Sequence, residues 1–105
     1  MNEPPYLYLT TTGRKSGHPH EIEIWFVAHD GCYYLVSGNR EQADWVQNIL
    51  HNPAVTFRVG EQSFSGTGRI VITETEPELS AAVSRLMAAK YNWSAGLIVE
   101  LRPDA

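Results

Sequence analysis

Apolar and polar positions along this chain follow two alternating periods. Glu21-Ile22-Glu23-Ile24 alternates strictly, and Trp25-Phe26-Val27 continues it as an apolar run. A period of two sends successive side chains to opposite faces of a sheet, so one strand is predicted from about residue 20 to 28, wet at its start and buried at its end. Before it, Tyr6-Leu7-Tyr8-Leu9-Thr10 is rich in strand-forming residues and stops at a Gly-rich segment, which predicts a first strand. After it, Asp30-Gly31 lies between two strand patterns and predicts a hairpin, because glycine accepts the positive φ that tight turns need. Cys32-Tyr33-Tyr34-Leu35-Val36-Ser37 is then a third strand, ending at Gly38-Asn39.

The period next changes to that of a helix. Trp45, Val46, Ile49 and Leu50 fall on one helical side. Asn39 is expected to cap this helix, with Gln42 returning the bond three residues later. Asn52-Pro53 should end it after about three turns, since the residue before proline is pushed out of the helical region. Residues 54–59 alternate again, turn at Gly60-Glu61-Gln62 and return through residues 63–73, where Gly66 and Gly68 suggest a bulge or a sharp coil. Thr75 and Glu78 form a possible capping box for a helix carrying Leu79, Val83, Leu86 and Met87 to about residue 90. Residues 97–101 read as a last strand, ended by Pro103.

The order is three strands, helix, two strands, helix, strand. Helices do not alternate with single strands as in a doubly wound parallel sheet, so a mainly β, antiparallel six-stranded barrel with two peripheral helices is expected. A chain of 105 residues is expected to form one domain over residues 1–105. Its 43% hydrophobic and 19% charged content fits a folded soluble domain. The core should be small, and a homodimer is a natural way to bury more surface.

Eight Lys and Arg against twelve Asp and Glu give a net charge of -4, which opposes nonspecific attraction to nucleic acid or anionic lipid. An anionic ligand must therefore be held locally. Arg14 and Lys15 are adjacent and followed by His18 and His20, whereas acids gather at Glu74, Glu76 and Glu78. Cys32 is the one cysteine, so no intrachain disulfide and no paired-thiolate metal site can form, which favours the cytoplasm. Met1-Asn2-Glu3-Pro4-Pro5 has neither a basic nor an apolar leader region, and no apolar run approaches the roughly 20 residues of a membrane span, so a soluble, unexported protein is expected.

Four constellations could carry chemistry. In Thr10-Thr11-Thr12-Gly13-Arg14-Lys15-Ser16-Gly17-His18-Pro19-His20, two glycines expose backbone N–H groups, hydroxyls surround them, and Arg14 and Lys15 supply charge; together these suit a phosphate. Arg14 interrupts the pattern of a Walker loop. A solvated basic turn has the same composition, so the loop alone does not decide. In Ser37-Gly38-Asn39-Arg40 a strand end meets a helix N-terminus, where free N–H groups and the dipole favour an anion; Arg40 opposes that dipole, which a bound anion would explain better than helix stability. A plain exposed arginine is the alternative. Among the aromatics, Trp25 and Trp45 read first as packing residues, whereas Tyr91-Asn92-Trp93 follows a helix in a polar stretch and suits a pocket wall or subunit contact. His18 and His20 share one side of a strand, yet no nearby Cys, Asp or third His completes a metal site, so none is expected; Cys32 reads as a buried strand residue.

With these residues in view, the chain resembles the deazaflavin-dependent nitroreductase family, a branch of the flavin-binding split barrels that includes pyridoxamine-phosphate-oxidase-like proteins. The resemblance runs from Leu9-Thr10-Thr11-Thr12-Gly13-Arg14-Lys15-Ser16-Gly17 through Trp25-Phe26, Val36-Ser37-Gly38 and Trp45-Val46-Gln47-Asn48 to Asn52-Pro53-Ala54-Val55, with Lys90-Tyr91-Asn92-Trp93 similar to the family's aromatic C-terminal segment. It implies a homodimeric split barrel holding a deazaflavin (coenzyme F-420) or FMN near the subunit interface. By motif position, Arg14, Lys15, Ser16 and Gly17 would hold the cofactor's phosphate or acidic tail. Ser37, Gly38 and Asn39 would approach the ring or ribityl chain, and Trp25 and Tyr91, with Trp93 beside them, would wall the substrate side. The chain has His20 where relatives often have Arg, and Arg40 in a short loop where a lysine and further glycines are usual; both leave deazaflavin or FMN open. The implied activity is hydride transfer to a quinone, nitro compound or activated double bond, a chemistry the cofactor itself carries. A noncatalytic flavin, deazaflavin, haem or tetrapyrrole carrier on the same barrel is the rival reading.

Overall fold

The predicted strand at residues 20–28 is in fact two strands, and the break between them organises the molecule. In the computed structural model, which describes residues 4–104, the alternating segment forms β2 (Pro19–Ile24), Trp25 and Phe26 leave it, and β3 (Val27–His29) follows. The other strands are β1 (Leu7–Thr12), β4 (Cys32–Ser37), β5 (Ala54–Val59), β6 (Gln62–Val71) and β7 (Leu97–Pro103), seven among the described residues rather than six. All pair antiparallel in the order β2-β1-β5-β6-β7-β4-β3. Strands β2 and β3 are thus opposite edges of one sheet, yet only two residues separate them. Three Cα steps reach at most about 11 Å, so the sheet must curl until the end of β2 stands beside the start of β3. The apolar run at residues 25–27 marks this corner, where no period of two survives.

Curling gives the sheet an inside. Leu7 and Leu9 of β1, Leu35 of β4, Val55 and Phe57 of β5, and Val99 and Leu101 of β7 fill it together with Phe26 from the break. The first helix, α1 (Asp44–His51), closes the barrel with Val46 and Ile49. The second, α2 (Pro77–Tyr91), lies outside, where Val83 and Met87 pack on Val27, Tyr34, Val36, Val71 and Ile98. Strand β4 therefore has both faces covered, which explains its unbroken apolar sequence. Beneath the start of α2, the buried Glu100 carboxylate accepts hydrogen bonds from Tyr34 (2.8 Å) and from Arg69 Nε (2.9 Å). Arg69 also grips Glu76 at 2.7 and 2.9 Å. Burial alone would raise the Glu100 carboxyl, but the Arg69 and Tyr34 bonds outweigh it and hold it below the usual carboxylate range.

Several local expectations are corrected. Asn39 and Gln42 form no capping box: Arg40–Gln42 make a single 3-10 turn, and α1 begins only at Asp44 with eight residues instead of about three turns. Arg40 takes φ 54°, in the left-handed region, so a helix cannot run through it. Thr75 likewise does not cap α2; its hydroxyl donates to the Ile72 carbonyl (3.1 Å), and Pro77, whose fixed φ suits a first helical position, sets the start. Leu50 and Leu86 remain exposed although they continue the apolar stripes. No bulge interrupts β6. Its register is unbroken against β5 through Thr67 and against β7 from Gly66 onward. The glycines there serve close approach instead, as Gly66 lies against the Arg102 carbonyl. No helix among the described residues is long and apolar enough to cross a membrane.

Candidate functional site

The loop between β1 and β2 is closed by its own backbone. The Gly13 N–H donates to the His18 carbonyl and the Gly17 N–H to the Gly13 carbonyl, both at 2.8 Å. The two glycine N–H groups expected to meet a phosphate are therefore already used. Gly17 supplies the left-handed turn (φ 75°), and Gly13 makes room: a Cβ there would lie 2.6 Å from His20 Nε2 and 2.8 Å from Ser16 Oγ.

Arg14 is also committed. Its guanidinium donates to Asn48 Oδ1 (2.9 Å) and pairs with Asp44 (3.2 Å), and its backbone N–H reaches the same Asn48 oxygen (3.2 Å). Asn48 in turn donates to Thr11 Oγ1 at 3.1 Å. Both Asn48 and Thr11 are buried, so this chain of bonds fastens α1 to the end of β1 and fixes the loop between them. Sequence reasoning assigned Asn48 no role, although a signal existed. It lies three residues after Trp45 and one before Ile49, a polar residue on the apolar side of a short helix. Asn48→Ala should strand the Arg14 N–H and the Thr11 hydroxyl and cost about 1–3 kcal/mol in thermal unfolding. An unchanged melting temperature would contradict this role.

What the loop presents outward is Lys15 and Ser16, both exposed. No ion pair among the described residues holds Lys15, and Ser16 Oγ accepts the His18 N–H (3.1 Å), which leaves the hydroxyl proton free to be donated. These two face a groove of about 750 Å³ that also takes in His20, Asn39, Ile22 and Trp45. Its volume is that of a small-molecule site. Glu21 and Asp44 border it as well, the latter neutralised by Arg14. Among the described residues no group of three His, Cys, Asp or Glu could hold a metal ion.

The segment after β4 is not arranged as its sequence suggested. The Ser37 hydroxyl is buried and donates to the Arg40 carbonyl (3.0 Å), so it closes the turn rather than facing the groove. The helix N-terminus lies at Asp44, whose carboxylate already complements the dipole, and the exposed Arg40 is not part of the groove wall. Asn39 does reach the groove, and Gly38 lies under Trp93, whose ring is 3.5 Å from where a Cβ would stand.

Trp25 and the distant pair Tyr91 and Trp93 do come together. The Trp25 and Tyr91 rings stack at 4.5 Å and 6°, and Trp93 meets Trp25 edge-on at 6.0 Å and 72°. Trp25 keeps 44% of its surface exposed. With Tyr6, Ile24 and Val36 the two indoles line a second depression of about 360 Å³, Glu23 being its one acid among the described residues. Strand β2 borders both hollows, Glu21 and Ile22 in the groove and Glu23 and Ile24 in the aromatic depression. The turn at Gly38 and Asn39 lies between them.

Comparison with known proteins gives the family and the fold. A family model described as F420H(2)-dependent quinone reductase matches residues 1–97. An F420H(2)-dependent quinone reductase of Mycobacterium tuberculosis is 35% identical over an alignment of 72 residues that covers 65% of this chain and 48% of that protein. The chain thus spans about half the length of the curated relatives it matches. Two solved structures share the fold: an F420-H2 dependent reductase, with a TM-score of 0.66 and 22% identity over 93% of this chain and 94% of the other, and the haem storage protein HutZ of Vibrio cholerae, with a TM-score of 0.77 and 18% identity over 96% and 82%. Since the family model extends over the loop, both hollows' β2 wall and the aromatic C-terminal segment, this chain belongs to the F420H(2)-dependent quinone reductase family.

Proposed function

We propose that this protein is a reductase that holds a deazaflavin in the groove beside the β1–β2 loop and serves a quinone at the aromatic depression. The observation that carries this reading is the succession of the two hollows along β2, one polar and cationic at Lys15, the other walled by Trp25 and Trp93. The residues present fit such a cofactor: Lys15 and the Ser16 hydroxyl suit its phosphate or acidic tail, Asn39 can bond its polar chain, and Trp45 and Ile22 offer apolar wall to a ring. When bound, reduced deazaflavin supplies a hydride. The protein's part is to fix the loop through Arg14, Asp44 and Asn48, to place the acceptor against Trp25, and to keep water out with the surrounding aromatics. Deazaflavin is favoured over FMN because relatives of this family are named for it.

Parallel titrations with the deazaflavin and with FMN test the cofactor assignment. Tighter binding of the deazaflavin supports it, and preference for FMN overturns it. We also take the protein to act as a homodimer, because β2 is a sheet edge with the exposed Trp25 at its end, and to be cytoplasmic, because its single cysteine allows no intrachain disulfide. A monomer in sedimentation at micromolar concentration would contradict the dimer.

A further inference from the structure

We infer that Lys90 and Tyr91, at the C-terminal end of α2, are positioning residues that hold Trp25 as the fixed wall of the acceptor's hollow. The inference rests on reading the aromatic depression as the acceptor side. It starts from the break in the sheet. The β1–β2 ladder stops at Ile24 and the β3–β4 ladder resumes at Val27, so neither supplies partners for the backbone of Phe26. Phe26 is nevertheless buried, at 1% exposure, and buried backbone groups need partners.

The end of α2 provides them. The Phe26 N–H donates to the Tyr91 hydroxyl oxygen (3.0 Å), and Lys90 Nζ donates to the Phe26 carbonyl (3.0 Å). The Tyr91 hydroxyl also lies 2.9 Å from that carbonyl and 2.6 Å from the Pro5 carbonyl, and its single proton goes to one of them. The Lys90 ammonium sits 3.9 Å over the Phe26 ring and 5.1 Å from the Tyr91 ring centre, so one cation joins both aromatics.

The residue before Phe26 is Trp25. Tyr91 therefore acts on it twice: its hydroxyl fixes the peptide that Trp25 shares with Phe26, and its ring stacks on the indole at 4.5 Å. A half-exposed tryptophan on a two-residue corner would otherwise be free to change rotamer. Held this way, it presents one orientation to the depression it lines with Trp93.

Tyr91→Phe keeps the ring and removes the hydroxyl, and Lys90→Met keeps the stem and removes the charge and the donor. Two readouts are needed. One is the exciton band that closely packed aromatics give in circular dichroism, and the other is the split between KM and kcat for a quinone such as menadione. Each variant should lose much of the exciton band, raise the quinone KM about tenfold, as for one lost buried hydrogen bond, and leave kcat and the deazaflavin Kd within about twofold. Lys90→Arg should restore both readouts. A fall in melting temperature with the band and KM unchanged would make the contact a plain structural latch and overturn the inference. A lost band with an unchanged KM would overturn it too. Should the wild-type protein not reduce the quinone, the functional reading fails, while the exciton band still decides whether these residues hold Trp25. If Tyr91→Phe does not fold, Lys90→Met decides alone.

Discussion

Replacing Lys15 and Ser16 together by alanine will weaken deazaflavin binding about a hundredfold and leave the melting temperature within a few degrees of the wild type. A charge-assisted bond from Lys15 is worth about 1.5–3 kcal/mol and a neutral one from Ser16 about 1 kcal/mol, and a combined loss near 3 kcal/mol is a factor of about a hundred in Kd. Stability should hardly move, because both side chains are exposed and Ser16 gives up only the contact with the His18 N–H. Raising the salt concentration should reproduce part of the loss by screening Lys15. Arg14 behaves differently. Its guanidinium bonds Asp44 and Asn48, so Arg14→Ala will lower the melting temperature as well as the affinity. Titration and thermal melts of the two variants side by side check this. Equal melting temperatures for both would contradict the division of roles inside the loop.

The largest effect on folding is expected at Gly66. It pairs with Val55 on one side and Pro103 on the other, where β6 passes from β5 to β7. A Cβ there would stand 2.2 Å from the Arg102 carbonyl oxygen and 3.0 Å from its carbon, both backbone atoms that cannot step aside singly. Gly66→Ala must therefore part the strands that link the two halves of the barrel. A cost of about 3 kcal/mol, at the upper end for overpacking, should lower the melting temperature by roughly 12–24 °C. Denaturant or thermal unfolding checks it, and a loss under about 1 kcal/mol would mean that the β6–β7 contact is slack.

Much of this fold is legible in the residues themselves. The alternation of Glu21-Ile22-Glu23-Ile24, the Asp30-Gly31 turn and the Asn52-Pro53 stop each express a local rule, and each element stands where that rule puts it. The corner at Trp25 and Phe26 was hidden because its cause is not local: it exists so that β2 and β3 can lie on opposite edges, and its backbone is satisfied by Lys90 and Tyr91 from the far end of the chain. The groove was legible in part. Lys15, Ser16, His20 and Asn39 do meet there. Composition could not show that Gly13 and Gly17 spend their N–H groups within the loop, or that Ser37 turns inward to the Arg40 carbonyl. Asn48 was overlooked for a related reason: a buried polar residue on a helix acquires meaning only through its partners, Arg14 and Thr11, which lie 34 and 37 residues away.

The most direct test of the central claim is to mix the protein with reduced deazaflavin and a quinone such as menadione and to follow reappearance of the oxidised deazaflavin chromophore. The account predicts oxidation that requires the protein and saturates with quinone. The rate should collapse in the Lys15→Ala, Ser16→Ala variant when the cofactor is kept below that variant's Kd. Tight deazaflavin binding with no oxidation above the protein-free rate would contradict it and leave a carrier on the same barrel.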